Sequence, residues 1–202
     1  LNIQCQMPNT CLAGRQVKCQ KRCIGNWIFD IGSIGYSKTM DTKIVTTNHV
    51  EELAKELQAK NKKLVLAGGC FDLLHIGHLT FLQKAKEQGD VLFVLVESDE
   101  QIEKAKGQGR PINIQEDRTK ILAAVDAVDY VLPLPPIMSN DDYDMLIKDI
   151  KPDVIATTEG DPQRIHKERQ AKLIGATVVD VTTQIKDQST TRLIKLLRGY
   201  DN

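Results

Sequence analysis

Residues 63–96 read KLVLAGGCFDLLHIGHLTFLQKAKEQGDVLFVLV, and the fold is decided there. Lys63 to Ala67 has the pattern of a short buried strand, broken by Gly68-Gly69. A helix is predicted from about Gly77 to Gln88, stopped by Gly89. Val91 to Val96 is an unbroken apolar run, as expected of a strand covered on both faces. Strand, helix, strand within so few residues is a parallel crossover unit.

The alternation continues on both sides. Upstream, Asn48 and Glu51 predict a capping box, followed by one apolar helix face at Val50, Leu53, Ala54 and Leu57. Downstream, Asn113 with Glu116 predicts a second cap, for a helix carrying Ile121, Leu122 and Val125. Tyr130 to Leu134 is a strand, Asn140 opens a helix through Met145, Leu146 and Ile150, and Val154 to Ala156 is the next strand. Asp161-Pro162 opens a further helix, Ala176 to Val181 is the fifth strand, and a last helix begins near Ser189. The expected architecture is α/β, a doubly wound five-stranded parallel sheet over residues 40–202. In such sheets the chemistry lies in the loops at the carboxyl ends of the strands.

Composition narrows the class. The 202 residues are 41% hydrophobic and 27% charged, with 27 basic side chains balancing 27 acidic ones. That excludes a disordered chain or a disulfide-built miniprotein. No apolar run reaches the roughly 18–20 residues of a membrane span. A net charge of zero and 4% aromatics offer no overall footprint for nucleic acid.

The charge is unevenly placed. Residues 1–39 carry Arg15, Lys18, Lys21, Arg22 and Lys38 against Asp30 alone, together with Cys5, Cys11, Cys19 and Cys23. The segment is expected to be an irregular N-terminal extension, disordered or translated ahead of a natural start at Met40. A zinc site is disfavoured because the cysteine spacing lacks paired C-x2-C knuckles. A secretory signal is disfavoured by the lack of an apolar core, and a transit peptide by the lack of Arg/Ser enrichment. An odd, scattered cysteine set suits a reducing compartment, so a cytoplasmic location is expected.

The loop after the first strand of the sheet, Gly68 to His78, places His75 and His78 at the predicted start of a helix, with Gly77 between them. Free N–H groups at a helix N-terminus and two imidazoles make an anion site, which Gly69 lets the backbone approach closely. The block G-x-F-D-x-x-H-x-G-H resembles the nucleotidylyltransferase superfamily. The resemblance implies a Rossmann-like sheet of the HUP type and the two histidines as catalytic contacts to a triphosphate. Class I aminoacyl-tRNA synthetases share the HIGH string, but their KMSKS-like loop lies far downstream; here the similar letters, Ser37 to Met40, lie upstream.

Further blocks in order resemble the adenylyltransferase domain of ADP-heptose synthases: Glu97-Ser98-Asp99, Lys106-Gly107, Arg110-Pro111, Glu116-Asp117-Arg118, Gly160-Asp161 and Ser189-Thr190-Thr191. Glycerol-3-phosphate cytidylyltransferase is similar to most of them. By this resemblance Lys106 joins the catalytic set, and Gly69, Cys70, Phe71, Asp72, Gly77, Gly160, Asp161, Ser189, Thr190 and Thr191 bind the nucleotide. Arg110 and Arg118 would bind the acceptor's phosphate, which suits a guanidinium.

The expected reaction is transfer of AMP from ATP to a phosphorylated sugar or polyol, heptose 1-phosphate-like, with release of pyrophosphate. Mg2+ would accompany the triphosphate, with no dedicated protein metal site. The alternatives are CTP with glycerol 3-phosphate or a related alcohol phosphate, and a regulator that binds nucleotide without turnover. No nucleic acid or membrane partner is expected, and a homodimer is possible by analogy. Two departures bear on the substrates. The ADP-heptose enzymes usually carry asparagine where this chain has Gly68, and Gly-Gly-Asp-Tyr where it has Glu159 to Pro162.

Overall fold

In the computed structural model, the structure describes residues 23–24, 27–28, 40–183 and 190. The chain divides into two compact units, residues 1–37 and 38–202. In the first, β1 (Cys23–Ile24) pairs antiparallel with β2 (Trp27–Ile28).

The second unit starts with a short helix, α1 (Met40–Lys43), and α2 (Thr47–Ala59). There follow β3 (Leu64–Gly69), α3 (Ile76–Lys86), β4 (Val91–Val96), α4 (Asp99–Lys106) and α5 (Gln115–Ala123). Then come β5 (Tyr130–Pro133), α6 (Asn140–Ile150), β6 (Val154–Thr158), α7 (Arg164–Ile174) and β7 (Thr177–Thr182). The last five strands form one parallel sheet in the order β5-β4-β3-β6-β7. This is the doubly wound arrangement expected from the sequence.

Alternation along the strands builds two cores. Val65, Ala67, Leu92, Val94 and Val96 face Phe81, Leu82 and Ala85 of α3 and Leu122 of α5. Leu64, Leu66, Phe93 and Leu95 face Val50 and Ala54 of α2 and Leu146, Ile147 and Ile150 of α6. β4 therefore buries all six of its residues and reads as a continuous apolar run. Chain winding reverses between β3 and β6, the neighbouring strands that are not consecutive. That reversal opens a crevice beyond Gly69 and Thr158, where a ligand is expected in such sheets.

Local expectations fared unevenly. Neither Asn48 nor Asn113 caps its helix. The N-cap of α2 is Thr46, whose hydroxyl meets Nδ1 of His49 at 2.8 Å instead of a backbone N–H. That of α5 is Ile114, because the Asn113 side chain is committed to the carbonyl of Asp72 at 2.9 Å. Helix α4, for which the sequence pattern gave no expectation, is capped by Ser98 accepting from the N–H of Gln101 at 3.1 Å. The box at the start of α6 is made by Ser139 and Asp142. The helix expected near Ser189 lies outside the described residues except for Thr190, which is helical.

Candidate active site

Strand β3 ends in Gly68-Gly69 and the chain turns over the carboxyl edge of the sheet before α3 begins. A Cβ on Gly69 would come within 3.2 Å of the Phe71 ring, so a side chain there would push the ring out by a few tenths of an ångström. Phe71 is buried at the top of the core, and its ring lies 5.4 Å from that of His78. His75 is the N-cap residue of α3 and His78 lies one turn in, which puts both on one side of the helix start.

The two imidazoles stack, with centroids 3.9 Å apart and planes 25° from parallel. Nδ1 of each is buried, with no partner at good hydrogen-bond geometry among the described residues. Burial, the neighbouring His75 and the charge of Lys106 together push His78 down to about 4, against weaker pulls from the Leu73 carbonyl and Asp72. Burial also lowers His75. Two imidazoles stacked at a helix N-terminus, both held below their ordinary value, are poised to receive an anion, whose charge would favour their protonated forms.

Asp72 underpins the loop. It is 1% exposed, and its Oδ1 accepts from the N–H groups of Ile112 (2.8 Å) and Asn113 (2.9 Å) while Oδ2 accepts from Nε of Arg110 (2.8 Å). Burial alone would raise this carboxyl. The two N–H groups and the Arg110 guanidinium outweigh it and hold the group below the usual carboxylate range. Arg110 is thereby fixed beside the histidine loop, with Nη2 buried and without a partner among the described residues. Lys106 ends α4, exposed.

Arg118 departs from its expected role. Its side chain is 0% exposed, and Nε donates to the Asn113 carbonyl, Nη1 to the Cys70 carbonyl, and Nη2 to the Glu97 carbonyl and to Asp99. Four acceptors at 2.6–2.9 Å take four of the fork's five N–H groups and the side chain is fully buried, so it ties the loops after β3 and β4 together and offers no exposed face to an acceptor's phosphate. Asp161 is likewise committed to the protein. It accepts from Thr157 Oγ1, from Lys167 Nζ and from the N–H of Gln163. Burial would raise it, but Lys167 and the other donors prevail and keep it low.

Gly160, at φ +75°, forms the turn after β6 at the edge of the crevice. Cys70 is a free thiol of intermediate exposure. Thr190 is buried and its hydroxyl points at the Leu73 carbonyl of the histidine loop, at 3.4 Å. The nucleotide-binding roles expected of Ser189 and Thr191 fall outside the described residues. The structure thus brings Gly69 to Asp72, His75, Gly77, His78, Arg110 and Thr190 to one loop, with Gly160 and Asp161 after the adjoining strand β6. Sequence reasoning missed Asn113 and Asp99 as supports of this loop system, because their partners lie 41 and 19 positions away, and Lys167, which reaches back to Asp161 from the next helix.

The family model described as "Cytidylyltransferase-like" matches residues 66–196. The chain belongs to the cytidylyltransferase-like family. Its matched region begins in β3 and takes in the whole site, so this domain is of the nucleotidylyltransferase class. Among curated relatives, the bifunctional protein HldE of Nitratiruptor sp. is 48% identical over 106 residues, 52% of this chain and 22% of that protein. The bifunctional protein HldE of Geobacter metallireducens is 37% identical over 174 residues, 84% of this chain and 34% of that protein. The chain therefore spans about a third or less of the length of these relatives. Among solved structures, the pantoate-beta-alanine ligase of Francisella tularensis, complexed with beta-gamma ATP and beta-alanine, superposes with a TM-score of 0.52 at 16% identity. That match covers 79% of this chain and 78% of the ligase, and it bears on fold alone. Among the described residues no helix is long and apolar enough to cross a membrane.

Proposed function

We propose that this domain transfers AMP from ATP to the phosphate of a sugar phosphate of the heptose 1-phosphate kind. An acceptor phosphate oxygen attacks the α-phosphorus, the bond from that phosphorus to the bridging oxygen breaks, and pyrophosphate leaves with the electron pair. No covalent enzyme intermediate is needed, and catalysis rests on donors aimed in advance at the developing charge. The observation that carries this reading is the stacked His75–His78 pair at the N-terminus of α3. The choice of AMP and a sugar phosphate rests on the resemblance of the ordered blocks to ADP-heptose synthases and on the HldE relatives.

The residues divide the work as follows. His75 and His78 donate to triphosphate oxygens, Gly69 to Asp72 form the backbone cradle, and Thr190 adds a hydroxyl from the last helix. Lys106 and Arg110 supply mobile and fixed positive charge respectively. A Mg2+ ion accompanying the nucleotide would neutralise phosphate charge. Asp72 already spends both oxygens on Arg110 and two N–H groups, so the ion is expected to ride on the phosphates themselves.

The second reading, CTP with glycerol 3-phosphate or a related alcohol phosphate, is favoured by the name of the matching family. Pyrophosphate release, measured with ATP and with CTP across heptose 1-phosphate, glycerol 3-phosphate and other phosphorylated sugars and polyols, separates the two. Turnover with CTP and none with ATP overturns the first. A chain that binds triphosphate but releases no pyrophosphate with any acceptor is a regulator and not a transferase.

A further inference from the structure

Beyond the last residue of β4 stands a carboxyl that the phosphate chemistry does not use. Gly68 of β3 lies in register with Leu95 of β4, and Leu95 faces α2 and α6. Glu97 is two residues further on, so it projects from that same face, past the end of the strand. Its N–H donates to the Gly69 carbonyl at 3.2 Å, and its own carbonyl accepts from Arg118, so its backbone is locked to the phosphate loop. On the side chain, Oε2 accepts from the hydroxyl of Tyr143 in α6 at 2.7 Å. Oε1 has no protein donor among the described residues and is not sealed from solvent. On the same face, a Cβ placed on Gly68 would meet only Leu95 among the described residues, at 3.6 Å.

We propose that Glu97, aimed by Tyr143, reads a hydroxyl group of the acceptor through Oε1 and so sets acceptor specificity. The proposal rests on the transfer reading above. The geometry favours it in three ways. An ionised carboxylate accepts hydrogen bonds and donates none, so it selects hydroxyls and turns phosphates away. The acceptor's phosphate belongs at the histidine loop, and Glu97 is bonded to that loop, so a hydroxyl a short distance from the phosphate arrives at Oε1. A structural tie between β4 and α6 would need neither a charge nor an unspent oxygen. Burial raises the Glu97 carboxyl, against the Tyr143 hydrogen bond and Arg118, which is a cost that an apolar pair would avoid.

The test takes whichever of heptose 1-phosphate and glycerol 3-phosphate the wild type uses best, together with analogues lacking one hydroxyl at a time. Pyrophosphate release is followed at saturating triphosphate. Glu97→Met, and the double variant Glu97→Met with Tyr143→Phe that leaves no orphaned hydroxyl, should raise KM for the full acceptor about tenfold. Tyr143→Phe alone, which frees the carboxyl without removing it, should raise it about threefold. KM for the triphosphate should stay put in all three. For one deoxy analogue the wild type should already show the weakened KM, and Glu97→Met should change it no further. An equal loss for every acceptor, or none for any, overturns the assignment of Glu97 while leaving transfer intact. A wild type inert with all acceptors overturns the transfer reading and this inference with it.

Discussion

Nε of Arg110 donates to Oδ2 of Asp72 at 2.8 Å, an ion pair that bridges 38 positions and joins the loop after β3 to the segment ahead of α5. The same carboxylate takes the N–H groups of Ile112 and Asn113, so one buried side chain fixes both segments of the site's rim. Asp72→Asn removes the charge that Arg110 answers and leaves a buried guanidinium without its partner. Breaking such a pair costs about 3–5 kcal/mol. The expected result is a loss in that range in urea unfolding, with triphosphate affinity reduced because Arg110 is released.

The same group makes a pH prediction with a definite sign. The Asp72 carboxyl lies lower in the folded state than its unfolded value of about 3.9. The native state therefore binds fewer protons in that region, and the stabilisation is complete above about pH 4 and drains away as pH falls through the lowered folded value. Unfolding free energy of the wild type should drop on acidification below about pH 4, and the Asp72→Asn variant should lack that component. Parallel curves for the two proteins would remove Asp72 from the account.

Arg118 supplies a separate prediction about stability. With no exposed surface and four acceptors, Arg118→Lys leaves several of them unmet, since a lysine ammonium cannot span the carbonyls of Cys70, Glu97 and Asn113 at once. A loss of about 3 kcal/mol or more is expected in the absence of any ligand. A residue serving only to hold an acceptor's phosphate would lower turnover and leave unfolding unchanged, and that outcome would restore the reading taken from the sequence.

The contrast explains what the sequence could disclose. β4 announced itself because a strand covered on both faces is apolar at every position, and the histidine pair because its spacing is local. Helix α4 did not, since Ile102 is its one buried residue and its other positions carry no apolar face. The work of Arg118 was hidden for another reason: three of its four partners are backbone carbonyls, which every residue has. Glu97 and Tyr143 are 46 positions apart and meet only because α6 packs against β4 on the face shared with Leu95.

The histidine pair couples triphosphate binding to protons. His78 is pushed down to about 4 by burial, His75 and Lys106, so in the free protein it is neutral at pH 6. Its folded value is depressed below the unfolded 6.5, so the unfolded state binds the extra proton between about pH 6.5 and 4, and the native state loses stability as pH falls across that window. A bound triphosphate reverses the local field and should raise His78. In NMR titration of the imidazole protons, its midpoint should lie near 4 without ligand and move up by at least one unit with ATP. Binding followed by calorimetry at about pH 4.5, between the two midpoints, should then take up protons from the buffer. An unmoved midpoint would mean that the triphosphate does not contact His78.

Lys106 tests the other side of that field. It is exposed at the end of α4, so its removal should leave folding untouched, yet its charge is among the influences that lower His78. Lys106→Met should therefore raise the His78 midpoint in the free protein, a change that NMR reads directly. It should also slow turnover by about 10–100-fold, as for loss of one pre-aimed charge at a transferring phosphoryl group, with a smaller effect on triphosphate affinity. A flexible cation gains most when the negative charge is greatest, during departure of pyrophosphate, so the loss belongs in kcat more than in KM. Lys106→Arg should recover part of the rate and return the midpoint toward 4, because charge is retained while reach and geometry change. If Lys106→Met shifts the midpoint but leaves kcat alone, the lysine tunes the histidine electrostatically and does not approach the phosphates.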